Sequence, residues 1–364
     1  MGKRGCTVED LGMTEFYRGK RVFVTGHTGF KGAWLCKILL CLGAEVTGYA
    51  LAPEEESLYD LCGVARDIRS VIGDIRDTDT LGAAFLKARP DIVLHLAAQP
   101  LVMEGYRDPA QTYAVNVMGT VHLLDCIRRS DSVGSVVNVT TDKVYRNEEW
   151  PWGYRETDIL DGRDPYSNSK SCSELVTHCY RDSFFSGTDV GISTLRAGNV
   201  IGGGDFAKDR LIPDCVRAAL AGRHVHLRNP GATRPYQHVL EPLFAYLLAA
   251  KRQYRNPEAG DSYNVGPDEA GCVGNVELVR LFCECWGEGM SWTAGDASGF
   301  PEANLLRLDS SKIRAKLGWR ARWSIETAVE KTVEWAKARR DGGDMEMLTM
   351  RQIDEYRTGG EADV

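Results

Sequence analysis

The amino-acid sequence predicts an α/β fold, a doubly wound parallel sheet with a smaller mixed α/β lobe C-terminal to it. From Lys20 onward, short apolar β-rich runs alternate with helical stretches. A glycine-rich turn follows the first of these runs, and after about Gly198 the alternation breaks into Gly-, Pro- and Arg-rich loops. The 364 residues exceed the ~100–200 of a single domain, so two lobes with a cleft between them are expected.

Residues 21–25, 45–49, 71–73, 92–96, 135–139 and 191–195 are apolar runs of the kind buried on both faces of a parallel sheet. Between them, residues 31–42, 79–87, 116–129 and 167–185 repeat apolar side chains at three and four positions, as helices covering that sheet do. Further helices are expected at 211–221, 241–251, 276–286 and 324–339, in the smaller lobe. The polar first twenty residues read as a loosely held arm.

Composition narrows the partners. A net charge of −7 opposes binding to nucleic acid or an anionic membrane, both of which need a positive surface field. The eleven cysteines form no CxxC pair, and several sit in apolar helical runs, which suits a reducing cytoplasm. The N-terminus lacks the apolar core of an export signal, and the longest apolar stretch, residues 33–42, is interrupted by Lys37 and falls short of the ~20 residues of a membrane span. His224 and His226 share one face of a short strand without a third ligand nearby, so no metal is expected.

After the first strand comes Thr25-Gly26-His27-Thr28-Gly29-Phe30-Lys31-Gly32. Three glycines at a strand-to-helix turn allow a pyrophosphate to approach the backbone, and the helix beginning near Phe30 offers unpaired N–H groups and a positive dipole end. A plain glycine turn has the same look, but the position on the first βα unit favours a Rossmann-type dinucleotide site. Asp74 and Ile75 after the third strand, and Leu96-Ala97-Ala98-Gln99 after the fourth, stand where such a cofactor would lie. Small residues in tight packing would read the same way. The second strand ends in Tyr49-Ala50-Leu51-Ala52-Pro53 with no acid before Glu54, which leans toward NAD and leaves NADP open. The resulting division is an arm at 1–19, a dinucleotide-binding domain at 20–198, a substrate lobe mainly at 199–356 with some segments returning to the first domain, and a tail at 357–364.

Asp164-Pro165-Tyr166-Ser167-Asn168-Ser169-Lys170 places a Tyr and a Lys four apart at a helix start, hence on one face. An ammonium there would lower the phenol pKa so that Tyr166 accepts an alcohol proton. Alone the spacing is weak, since surface helix pairs share it. At the end of the fifth strand, Thr140-Thr141-Asp142-Lys143 opens onto the cleft; a loop ion pair between Asp142 and Lys143 is the alternative.

Taken with Arg196-Ala197-Gly198-Asn199 and its following glycines, and with Arg234-Pro235-Tyr236-Gln237-His238, these segments resemble the extended short-chain dehydrogenase/reductase superfamily. Within it the chain is similar to the nucleotide-sugar 4,6-dehydratases, and Lys143 points to the branch acting on CDP-glucose. Met103-Glu104-Gly105 departs from that pattern, in which Arg and Ser are usual.

The resemblance implies a redox-neutral lyase with a CDP-sugar substrate, NAD as cofactor, and a place in deoxysugar biosynthesis. It assigns catalysis to Thr141, Asp142, Lys143, Tyr166 and Lys170. Cofactor contacts would come from Gly26, His27, Thr28, Gly29, Phe30, Lys31, Gly32, Asp74, Ile75, Leu96, Ala97, Ala98, Gln99, Thr140, Tyr166, Lys170 and Asn199. Substrate contacts would come from Gln99, Asn199, Asp205, Leu211, Ile212, Arg217, Arg228, Arg234 and Tyr236. Tyr166 would take the C4 hydroxyl proton and Asp142 would protonate the departing C6 hydroxyl. Lys143 would either remove the C5 proton or stay charged beside an enolate. A nucleotide-sugar 4-epimerase, a 4,6-dehydratase acting on another NDP-sugar and an NAD(P)-sensing binding protein are the competing functions, and a homodimer or homotetramer is the expected assembly.

Overall fold

The computed structural model describes residues 8–267, 271–295 and 305–359. Its centre is a seven-stranded parallel sheet made of β1 (Arg21–Thr25), β2 (Glu45–Ala50), β3 (Arg69–Ile72), β4 (Ile92–His95), β5 (Ser135–Thr141), β6 (Gly191–Ala197) and β7 (Ser262–Val265). The spatial order is β7-β6-β5-β4-β1-β2-β3, so the winding reverses between β1 and β4. Ligands of open parallel sheets bind at such a reversal, beyond the strand C-terminal ends.

Six of the seven strands fall where the apolar runs predict them. The seventh was not expected, because Ser262-Tyr263-Asn264-Val265 is no apolar run. All four residues are nevertheless buried, since the two polar ones find partners: Ser262 meets His178 and Thr194, and Asn264 accepts from Tyr145 at 2.6 Å.

Apolar clusters cover both sheet faces. On one, Trp34, Leu35 and Ile38 of the helix Phe30–Cys41 meet Val137, Leu195 and Tyr246; on the other, Phe23 and Val93 meet Leu81, Phe85 and Leu123. Each fully buried side chain of this size contributes about 1.5–3 kcal/mol. The helix Leu240–Arg255 joins the first cluster and packs on β5 and β6, so the stretch at 241–251 belongs to the sheet and not to the smaller lobe. It is the crossover that delivers β7.

The N-terminal arm is also firmer than expected. Val8–Tyr17 is a helix whose Met13, Phe16 and Tyr17 lie on one face and are buried, with the Tyr17 hydroxyl donating to the Leu247 carbonyl at 2.8 Å. A further helix, Met345–Thr358, buries Leu348, Ile353 and Tyr356 against the same cluster.

A separate core unites Leu211–Leu220, Asn275–Trp286 and Ile325–Arg340 through Ile212, Cys215, Leu278, Phe282 and Val329. This second core faces the C-terminal strand ends and makes the other wall of the cleft.

Candidate active site

A cavity of about 1440 Å³ runs along the strand ends between the two cores. That exceeds the roughly 300–1,000 Å³ of a drug-sized ligand site and suits two large ligands side by side. Its floor is the glycine turn. Gly26 has φ +78°, and a Cβ there would sit 2.7 Å from the Ala97 nitrogen; a Cβ on Gly32 would sit 2.1 Å from the Gly26 carbonyl. The turn is therefore compact because it lacks side chains at these points. Gly29 begins the helix Phe30–Cys41 without a side-chain cap, which leaves its first N–H groups for an anion. These features fit a dinucleotide pyrophosphate.

Gly26, Thr28, Gly29, Phe30, Lys31, Gly32, Asp74, Ile75, Leu96, Ala97, Ala98, Thr140, Tyr166, Lys170 and Asn199 all line the cavity. Two of the expected cofactor residues turn away. The His27 ring is buried, hydrogen-bonded to Ser70 at 2.7 Å and set edge-on to Tyr59, so burial lowers its pKa to about 4. Gln99, expected at both ligands, instead accepts from the Leu101 amide at 2.5 Å and donates to Thr112 at 2.8 Å. Both hold the loops that carry their neighbours.

The catalytic segment starts with Asp164, whose carboxylate accepts from the Ser167 amide at 3.0 Å and caps the helix Pro165–Tyr180. Pro165 in the first turn completes the start signal. Tyr166 thereby faces the cavity, and Lys170 lies one turn on, 5% exposed, donating to the Val139 carbonyl at 3.0 Å. Burial pushes the Tyr166 phenol up to about 12; a hydrogen bond with Thr141 and the charge of Arg210 pull it down, while Asp142 and Asp164 push it up. Lys170, one helical turn away on the same face, is the cation that the sequence placed beside the phenol. Burial brings Lys170 itself down to about 8, against the charge of Glu174.

Thr141 and Lys143 line the cavity, while Asp142 lies just inside its wall and is 1% exposed. Its Oδ1 accepts from the Thr141 hydroxyl at 3.0 Å, and its Oδ2 has no partner among the described residues. Burial raises its pKa against the opposing charges of Lys143, Arg234 and Lys31, which favours the neutral, proton-donating acid.

On the opposite wall stand Asp205, Leu211, Ile212, Arg228, Arg234 and Tyr236. Arg228 pairs with Asp209 at 2.8 Å and Asp214 at 2.9 Å, so gripping a phosphate there requires exchanging carboxylate partners. Arg217 is outside the cavity, held by Asp214 and the Phe206 and Ala207 carbonyls, and drops out as a direct ligand. Its neighbour in the fold, Arg210, was missed. That guanidinium lines the cavity, pairs with Asp205 at 3.0 Å and acts on both Tyr166 and Lys31. Only its place immediately before Leu211-Ile212 could have signalled it. Gln237 and His238 are buried in packing.

Comparison with known proteins shows the family. The family model described as GDP-mannose 4,6 dehydratase matches residues 23–332. A CDP-glucose 4,6-dehydratase of Salmonella typhimurium is 46% identical over 348 residues, covering 94% of this chain and 97% of that protein. A probable dTDP-glucose 4,6-dehydratase of Sinorhizobium fredii is 28% identical over 334 residues, covering 86% and 92%. Among solved structures, dTDP-glucose 4,6-dehydratase of Bacillus anthracis in complex with NAD superposes with a TM-score of 0.75 at 21% identity, covering 88% of this chain and 98% of that one. UDP-glucose 4-epimerase of Thermotoga maritima with UDP-glucose gives 0.77 at 23% identity, covering 87% and 99%. The structural likenesses show a shared fold.

Proposed function

The chain belongs to the GDP-mannose 4,6 dehydratase family, and from that premise we propose that it is an NAD-dependent lyase converting CDP-D-glucose into CDP-4-keto-6-deoxy-D-glucose and water. The observation that carries the chemistry is Asp142, a buried acid with one unpartnered oxygen beside Thr141, Lys143 and Tyr166. An epimerase has no departing hydroxyl to protonate and gains nothing from it. The CDP-glucose assignment rests on the full-length likeness to the Salmonella typhimurium enzyme.

NAD, when bound, supplies the hydride acceptor and donor that make the reaction redox-neutral. Gly26, Gly29 and the N-terminus of the helix Phe30–Cys41 hold its pyrophosphate, with Asp74, Ile75 and Leu96 to Ala98 along its length. Tyr166 takes the C4 hydroxyl proton, its phenolate steadied by the Lys170 ammonium one helical turn on, by the Thr141 hydroxyl and by the Arg210 charge. The resulting 4-keto group acidifies the C5–H bond. Lys143, at the cavity wall, removes that proton as a neutral amine, or faces the enolate as a cation while a water or Tyr166 acts as the base. Asp142 delivers its proton to the C6 hydroxyl, which leaves as water; once C6 has regained the hydride that C4 gave up, the group that took the C5 proton returns it. Residues 20–198 hold the dinucleotide in this reading, and residues 199–356 mainly hold the nucleotide sugar, with Arg210, Arg228 and Arg234 as diphosphate ligands.

A homodimer or homotetramer follows from the same reading. Exposed Met118, Leu175 and Phe184 on the two helical segments at 114–128 and 165–185 support a helix-to-helix seam. The described cysteines are all free, which suits a cytoplasmic protein.

The deciding experiment incubates the protein and NAD with CDP-, UDP-, dTDP- and GDP-glucose in parallel and follows product mass. Loss of one water from CDP-glucose alone, without net reduced cofactor, is expected. Unchanged mass with inverted C4 would move the function to epimerase, and no turnover of any sugar would leave the binding protein.

A further inference from the structure

Beneath Lys170 lies an ion pair with no part in the chemistry above. Glu174 and Arg196 are both fully buried and joined at 2.9 Å. The Glu174 carboxylate also accepts from the Thr140 hydroxyl, from Thr194 at 2.6 Å, and approaches His178 at 3.3 Å. Arg196, on β6, continues to the Tyr145 hydroxyl at 2.8 Å and the Glu156 carbonyl at 3.1 Å. Burying an ion pair this deeply rarely stabilises a fold more than apolar side chains of the same volume would, so its presence calls for another reason.

Lys170 and Glu174 sit one helical turn apart and grip adjacent residues of β5: Lys170 bonds the Val139 carbonyl and Glu174 the Thr140 side chain. The strand then ends at Thr141, and Asp142 follows at once in the turn beyond it. Resting on the catalytic reading above, the geometry points to Glu174, locked by Arg196, as a positioning residue that keeps Lys170 an ammonium and fixes the end of β5 under Tyr166.

The charges around Lys170 leave no other candidate among the groups that act on it. Lys31 from the glycine turn is a second cation, His95 from β4 is buried and held neutral, and Tyr166 on its own helix is pushed toward the neutral phenol. Among the described residues, the Glu174 anion is the group that favours the charged amine. Glu174 itself faces His178 on its own helix, Arg196 from β6 and Tyr145. Burial would raise its carboxyl, yet Arg196, with the hydrogen bonds from His178, Arg196 and Thr140, holds it well below the usual carboxylate range. It stays an anion wherever the enzyme works.

The sign of the effect follows. Removing the anion makes the Lys170 ammonium less favourable, so the lysine loses its proton at lower pH and the alkaline limb of the kcat profile moves to lower pH. The test measures kcat and KM against pH for wild type, Glu174→Gln, Glu174→Asp and the double variant Glu174→Gln/Arg196→Met. The limb is expected to fall by about one unit in Glu174→Gln, with kcat at pH 8 reduced about fivefold and KM nearly unchanged. Glu174→Asp, which keeps the charge, restores the limb. The double variant relieves the unpaired Arg196 and regains thermal stability but keeps the displaced limb, a separation that a merely structural pair would not show. An alkaline limb at the wild-type position in either charge-removing variant that folds overturns the assignment, as does a double variant that regains both stability and limb. Wild type that leaves CDP-glucose unchanged would instead overturn the substrate reading, and the limbs are then compared on whichever nucleotide sugar turns over.

Discussion

Thr141 donates to Oδ1 of Asp142 at 3.0 Å, and Oδ2 of that carboxyl is left without a partner among the described residues. A buried acid oxygen kept free beside a cavity is costly unless something arriving there uses it. Asp142→Asn keeps the shape and removes the acidic proton. Overall turnover should fall by roughly 10²–10⁴-fold. Oxidation at C4 should persist, so reduced cofactor should accumulate at 340 nm. Full turnover in this variant would remove Asp142 from proton delivery.

Lys170 offers a separation of stability from activity. Burial disfavours the charged form and brings the Lys170 ammonium from its ordinary 10.5 down to about 8 in the folded chain. Below pH 8 both folded and unfolded chains carry the proton, and the burial cost of the charge is present in full. Between about 8 and 10.5 the unfolded chain binds a proton that the folded chain has lost, so this contribution makes stability rise with pH. Lys170→Met should abolish turnover yet leave Tm at pH 7 equal to wild type or about 2–4 °C higher. Calorimetry on the purified variant checks this, and a large fall in Tm would contradict it.

Gly105 controls how closely the helix Val102–Arg107 approaches the catalytic helix. A Cβ at this position would stand 3.0 Å from the Tyr166 nitrogen and 3.3 Å from its Cβ. The departure at Met103-Glu104-Gly105 therefore bears on the position of Tyr166. Gly105→Ala should push Tyr166 by a few tenths of an ångström and lower kcat about tenfold, with little change in NAD affinity. Steady-state kinetics beside NAD titration would separate the two.

Cofactor choice can be read at the end of β2. Leu51, Ala52, Pro53, Glu54, Glu56 and Ser57 line the cavity there without a cation, and Glu56 pairs with Arg339. A 2′-phosphate would meet carboxylates instead of an Arg fork. NAD should bind at least about tenfold more tightly than NADP, measured by titration calorimetry, and Glu54→Arg should narrow the gap.

The glycine turn, the Tyr166–Lys170 spacing and six of the seven sheet strands were legible in the sequence because each is a local pattern. Apolar periodicity reports which face of an element is buried, glycine spacing reports where the backbone must come close, and a four-residue interval on a helix puts two side chains on one face. The same local character explains the errors. Residues 1–19 are polar on average, but the spacing of Met13, Phe16 and Tyr17 makes a docking face that means something only once Leu240–Arg255 lies beneath it.

By itself, then, the sequence determined the fold class, the glycine turn and the residue types that line the candidate site. Only the tertiary structure decided that His27 and Gln99 turn inward, that Arg217 is taken by Asp214, that Arg210 enters the cavity, and that Asp142 keeps one oxygen free. Whether a polar side chain points to a ligand or into the fold depends on which distant group satisfies it first. Ser70 and Thr112 are such groups, and packing brings them into place in ways that spacing along the chain does not encode.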